Sequence, residues 1–413
     1  MDIRIDIDRL SRELETLASF TDSLPPSVTR VLYTPTDLAA REYLKGLCRE
    51  AGLEVREDPL GNTFACWIGE DPQAGAVGTG SHIDAIPHAG RYDGTVGVLG
   101  GLEALRALKS AGFRPKRSLE LLIFTSEEPT RFGIGCLGSR MLSGALSPEA
   151  ARKLEDKDGK TLEEARWEAG FLGELEEVPL PKGYYSAFVE LHIEQGPILE
   201  RQQIPLGVVT AIAAPASLRL IIEGEGGHAG AVLMHERHDA FLAAAEIALA
   251  AEAAARATGA PDTVATSGVC EVFPGAINSV PSLVRLELDI RDIDLLRRDG
   301  VVNAVYKACE AQRKKRGVHI GLEVLNADPP AHSSPKVVEA LDRACAAYGL
   351  NYLTMVSRAY HDSLFMARIA PTAMLFIPCK NGWSHRPDEY AAPEHIEQGV
   401  RVLAHALAEL AGS

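Results

Sequence analysis

The sequence contains no apolar run of about 18 residues, the length a membrane-spanning helix needs. Its most apolar stretch, Phe241 to Ala255, is alanine-rich and interrupted by Glu246 and Glu252, which reads as a helix inside a folded domain. The opening decapeptide, MDIRIDIDRL, alternates charge with aliphatic side chains and lacks the apolar centre of an export signal. Positive charge is also short, with 42 Lys and Arg against 57 Asp and Glu and a formal net charge of −15. That balance argues against nucleic acid or an anionic membrane as partner, although a local arginine can still hold a small anion. The seven cysteines (Cys48, Cys66, Cys136, Cys270, Cys309, Cys345 and Cys379) are odd in number, scattered, and form no CxxC pair. Reduced structural thiols in a cytoplasmic protein are expected, rather than a zinc or disulfide framework.

What is present suits a globular chain of two domains: 413 residues, 46% hydrophobic and 24% charged. The first part alternates helical and strand-like patterns. Amphipathic helices are predicted around Ile7 to Leu17 and Thr36 to Ala51, then a buried strand in AVGTGSHID and a helix from Thr95 to Ser110. The strand SLELLIFTSEE and the turn and helix of GCLGSRMLSG continue the rhythm. Such βαβ order implies an α/β fold with a mostly parallel sheet, whose site lies beyond the carboxyl ends of the strands. A different regime begins near Ala213, with strands in SLRLIIEGEG, TVATSGVCEV, LVRLELDIRD and GVHIGLEVLN. Helices are predicted in HDAFLAAAEIALAAEAAARA and from Ile293 to Lys315. The expectation is a discontinuous catalytic domain, residues 1–212 and 329–413, with an α+β insert at 213–328 that serves as lid and dimerisation surface. The segment Lys153 to Glu177 reads as charged and helical, without an assigned role.

Five segments place His, Asp or Glu beside small residues at strand ends. They are SHID (His82, Asp84), GRYDG (Asp93), TSEEP (Glu127, Glu128), LHIEQGP (His192, Glu194, Gln195) and GWSHRPDE (His385). Any one alone is more ordinarily a structural histidine or a solvated carboxylate pair. Mixed His and carboxylate donors suit zinc, manganese or cobalt and not a calcium site built from oxygen alone. A carboxylate can bridge two ions about 3.5–4 Å apart. Asp84, two residues past His82, is positioned to receive that ring's second N–H. Adjacent glutamates can divide the work, one binding metal and the other standing over a water as general base.

In order and spacing the five segments resemble the amidase, hydantoinase and carbamoylase branch of the dinuclear aminoacylase-like metallohydrolases. The resemblance implies two divalent ions held by His82, Asp93, Glu128, His192 and His385, with Asp93 bridging. It also implies a hydroxide between the ions and Glu127 as the base. Manganese is the expected metal, with zinc, cobalt and nickel also suited. By the same resemblance the protein is a homodimer. His228 of EGGHAG reaches the partner's site to hold an oxyanion, and Asn278 of PGAINS and Arg291 of DIRD bind a substrate carboxylate there. The residues alone leave these three open as a strand cap, a turn residue and a surface charge. Gln195 and His361 are expected to touch substrate and Asp84 to support catalysis. The segments GSHIDAIP, FTSEEPTRFG, VVTAIAAPASL and SRAYHDSLFMARI are most similar to the members of the branch that act on ureidoglycolate. Those that act on allantoate or N-carbamoyl amino acids carry a small residue where Tyr360 stands, so Tyr360 is expected to shape the pocket.

Overall fold

A computed structural model describes residues 1–412. The chain divides into two compact units. The first comprises Met1–Thr210, His332–Ser357 and the chain from His361 onward, and the second Ala211–Ala331 together with Arg358–Tyr360.

The first unit is built on a nine-stranded sheet. Its centre is four parallel strands in the order Thr372–Ile377, Tyr185–Ile193, Ala76–His82 and Leu119–Phe124. Ala76–His82 and Leu119–Phe124 are the strands read from AVGTGSHID and SLELLIFTSEE. The edges are antiparallel, so the sheet is mostly rather than wholly parallel, as expected. Leu206–Ile212 runs antiparallel beside Thr372–Ile377, and Thr63–Trp67 followed by Glu54–Glu57 extends the other side antiparallel. Alternation along Leu119–Phe124 explains why both faces are covered. Leu119, Leu121 and Ile123 enter one apolar core, while Leu122 and Phe124 enter the other. The helices Ile7–Ser19, Thr95–Ser110, Pro335–Ala347 and Pro393–Gly412 supply the first core with residues such as Leu14, Leu102, Leu341 and Leu403.

The expected helix over Lys153 to Glu177 is replaced by short pieces. A turn closes at Asp156 to Lys160, an α-helix covers only Leu162–Glu168, and a single 3₁₀ turn covers Leu175–Glu177. Thr161 and Glu164 form a reciprocal capping box that starts the helix. Gly170, at φ 91°, ends it in a conformation closed to a continuing helix.

The second unit is a four-stranded antiparallel sheet in the order Val264–Phe273, Leu283–Asp292, Ala214–Glu223 and His319–Ala327. Helices Ala240–Ala257 and Leu295–Arg316 pack with it around Leu218, Leu220, Val284, Leu286 and Ile247. Val264–Phe273 is an edge strand, and most of its residues are exposed. Among the described residues no helix is long and apolar enough to cross a membrane.

Candidate metal centre and active site

The parallel strands end together. His82 closes its strand opposite Phe124, and His192 lies one residue from the end of its own, opposite Phe376. Glu127 and Glu128 follow the strand Leu119–Phe124, and His385 follows Thr372–Ile377. Asp93 stands just before the helix Thr95–Ser110. Its follower, Gly94 at φ 66°, is forced by space as well as by backbone, since a Cβ there would meet His82 Nε2 at 2.4 Å.

The donors form two triads that share Asp93: His82, Asp93 and His192, and Asp93, Glu128 and His385. The two oxygens of Asp93 divide between them. Oδ1 lies 3.2 Å from His192 Nε2 and 3.6 Å from His82 Nε2, whereas Oδ2 lies 3.3 Å from His385 Nε2. His385 Nε2 is in turn 3.0 Å from Glu128 Oε1. One carboxylate with each oxygen turned to a separate His-containing set is an arrangement that would suit two adjacent divalent ions. The donor chemistry fits zinc, manganese or cobalt. Gln195 points the same way: its Nε2 donates to Asp93 Oδ2 at 2.6 Å, and its buried Oε1 has no protein partner.

Electrostatics follow from burial. Burial works against the charge of Asp93, but hydrogen bonds from His192, His385 and His82 outweigh it and hold the carboxyl well below the usual range. Hydrogen bonds to Asp93 and Glu128 push His385 up to about 11. Glu127 moves the other way: burial raises it well above an ordinary carboxyl, and Glu128 and Asp362 add to the rise against the pull of His82. A raised carboxyl is the property a general base needs near neutral pH.

The surrounding residues are placed as follows. The Asp84 carboxylate accepts the backbone N–H of Glu127 at 3.1 Å and of Glu128 at 2.9 Å. His82 Nδ1 meets the Asp84 carbonyl at 3.1 Å and the carboxylate only at 3.5 Å, so the main work of that side chain is to seat the glutamate pair. His361 is buried, pairs with Ser357 Oγ at 2.9 Å, and sets its ring edge-on to His192 at 4.6 Å. His228, Asn278, Arg291 and Tyr360 all belong to the second unit. His228 and Asn278 are exposed neighbours, with Ala229 N–H donating to the Asn278 carbonyl at 2.8 Å and His228 paired in register with Ser279. Arg291 donates twice to Asp289, at 2.7 and 3.1 Å, and once to the Arg358 carbonyl at 3.0 Å. The Tyr360 hydroxyl donates to Asp328 Oδ2 at 2.5 Å.

Two residues of the site escaped the sequence reading although both stand in the quoted segment GWSHRPDE. Glu389 accepts the N–H of Tyr92 at 2.7 Å and of Asp93 at 3.1 Å. Ser384 donates to Asp93 Oδ2, 2.5 Å away, and lies 2.9 Å from Glu389. A hydroxyl and a carboxylate on either side of His385, the expected ligand, are the signal that was available.

The profile of the Peptidase family M20/M25/M40 matches residues 78–409. A ureidoglycolate hydrolase of Oryza sativa subsp. japonica is 54% identical over 413 residues, covering 98% of this chain and 85% of the relative. One of Arabidopsis thaliana is 52% identical over 415 residues, covering 99% of this chain and 87% of the relative. The crystal structure of AtUAH in complex with glyoxylate matches with a TM-score of 0.89 at 52% identity, covering 99% of this chain and 98% of that one. With two His and carboxylate triads meeting at Asp93 and a raised carboxyl beside them, the chain belongs to the M20/M25/M40 peptidase family as a metal-dependent hydrolase.

Proposed function

We propose that the protein hydrolyses ureidoglycolate to glyoxylate, carbon dioxide and two molecules of ammonia. The observation that carries this reading is the shared-carboxylate centre with Glu127 beside it, in a chain more than half identical to two ureidoglycolate hydrolases. Divalent ions, which we take to be manganese, supply Lewis acidity there and bring the pKa of water toward neutrality. Glu127 takes the proton of the attacking water and hands it to the departing nitrogen of the terminal ureido group. Ammonia leaves, and the remaining carbamate loses carbon dioxide to give hydroxyglycine, which breaks down to glyoxylate and a second ammonia. Arg291 uses three of its five N–H groups within the protein, and the remaining two suit a substrate carboxylate. The seven cysteines are all free, which suits the cytosol as location.

The test is a comparison of ammonia and glyoxylate release from ureidoglycolate, allantoate and N-carbamoyl amino acids with added manganese. Ureidoglycolate should lead in kcat/KM by about 10²-fold or more. A lead for allantoate or an N-carbamoyl amino acid sinks the assignment in favour of that substrate.

Tyr360 is the proposed selector. Its hydroxyl donates to Asp328 and accepts from Asn326, which holds the side chain, and a ring of that size would exclude a second ureido group. Tyr360→Gly should raise activity toward allantoate relative to ureidoglycolate. An equal fall for both substrates, tracking a lower melting temperature, would show that the ring only packs its loop.

We further propose a homodimer in which His228, Asn278 and Arg291 serve the partner's site, His228 steadying the oxyanion. The exposed edge strand Val264–Phe273 supports this, since its open backbone groups invite pairing with a second copy. Beside it runs a groove of about 870 Å³ that includes Leu249 and Val264. Mixing Glu127→Gln protein with His228→Ala protein, each inactive alone, should restore activity, because each mixed dimer has one site with both residues intact. Mixed dimers that are confirmed by mass and stay inactive would return His228 to its own subunit.

A further inference from the structure

We propose that Cys136 is a positioning residue for Glu127. Its thiol holds one carboxylate oxygen so that the other faces the reacting water. This rests on the reading of Glu127 as base and adds a residue to it.

The thiols differ in surroundings. Cys48, Cys345 and Cys379 pack into the large apolar core of the first unit, and Cys309 into that of the second. Cys136 is equally buried, but it faces a carboxylate: Sγ lies 3.4 Å from Glu127 Oε1. The contact is reinforced from the main chain, where Cys136 N–H donates to the Glu127 carbonyl at 2.7 Å. With Asp84 accepting the Glu127 N–H, the glutamate is gripped at its amide, its carbonyl and its side chain. Its other oxygen, Oε2, is left on the side of His82, 4.0 Å from Nε2.

The backbone at Cys136 is in the left-handed region, φ 54° and ψ 38°, directly before the helix Leu137–Leu142. Residues other than glycine, asparagine and aspartate seldom adopt it, and such conformations gather at functional sites. Glycine would relieve the backbone there but would remove the side chain that reaches Glu127. Burial, and then the charge of Glu127, raise the thiol well above its ordinary pKa. The sulfur therefore keeps its proton and is the donor. A thiol is a neutral, weak donor, so it orients the carboxylate without tying up its basicity as a cation would.

Cys136→Gly, Cys136→Ala and Cys136→Ser are compared with the parent chain, all as manganese-loaded protein with metal content measured. Glycine suits the backbone angle, so that variant separates the role from folding. The glycine and alanine variants should lose about ten- to a hundredfold in kcat, with KM and metal content unchanged. Serine, whose O–H can donate to the same oxygen, should recover most of the loss. A glycine variant with both metals and the parent kcat overturns the proposal. So does a serine variant no faster than glycine, or a loss confined to KM. Glu127→Gln runs alongside. If it is slow while Cys136→Gly is not, only the role of Cys136 falls. If it turns over at the parent rate, the base assignment and this inference fall together.

Discussion

Glu127→Gln is expected to keep both metals and lose about 10²–10⁴-fold in kcat, the range for removal of a general base. The substitution is nearly isosteric and spares His82, Asp93, Glu128, His192 and His385, the proposed metal donors. The seat it occupies also survives, because Asp84 holds the backbone N–H of residues 127 and 128 and not the carboxylate of Glu127. What disappears is the group whose burial keeps its proton affinity high. Glutamine cannot take a proton from water at any useful pH. The check is single-turnover kinetics beside elemental analysis. Near-parent turnover with two metals bound would move the proton transfer to another residue.

Chelation is the second large effect, and it should abolish activity, with manganese restoring it. Asp93 is central to both triads, so without ions its charge is compensated by the histidines around it and by hydrogen bonds from Gln195 and Ser384. His385, held near 11 by Asp93 and Glu128, carries a proton at neutral pH when no cation is there. A cation must displace that proton, so metal uptake releases acid and the affinity rises with pH. The melting temperature should fall on chelation as well, since a ligand bound by the native state alone stabilises it. Full turnover in metal-free protein would remove the centre from the mechanism. Reloading that is stronger at pH 5 than at pH 8 would contradict the proton competition.

The parts of this fold that were legible in the sequence are those with strong periodicity. The runs AVGTGSHID and SLELLIFTSEE became central parallel strands because both faces are buried and the runs are rich in small or apolar residues. Leu283–Asp292 alternates buried and half-buried residues along its whole length, as a sheet with one covered face demands. The edge strand Glu54–Glu57 gave no such signal: its residues are charged or partly exposed, and pairing with Thr63–Trp67 alone makes it a strand. The clustering of His and carboxylate side chains that could hold metal was legible because ligand chemistry restricts residue type and strand ends restrict position. Glu389 was marked only by its place beside Ser384 and His385, because its other partners are backbone N–H groups 296 and 297 residues away, and such bonds leave no mark on the partners' side chains. The same reason hid the allegiance of Arg358–Tyr360 to the second unit, where Arg291 holds the Arg358 carbonyl and Asp328 holds the Tyr360 hydroxyl.

The two triads are unequal in one respect that matters during biosynthesis. His82, Asp93 and His192 are all made in the first half of the chain, whereas the set of Asp93 and Glu128 closes only with His385. The strand Thr372–Ile377 that delivers His385 lies directly beside Tyr185–Ile193, which left the ribosome long before. A chain that stops before His385 can therefore offer the donors of one triad but not of both. If each triad holds an ion, loading of two reports that the chain extends past His385 and that the two distant stretches have found each other. Metal stoichiometry, one against two, would then separate chains with and without His385 in a mixed preparation, without reference to activity.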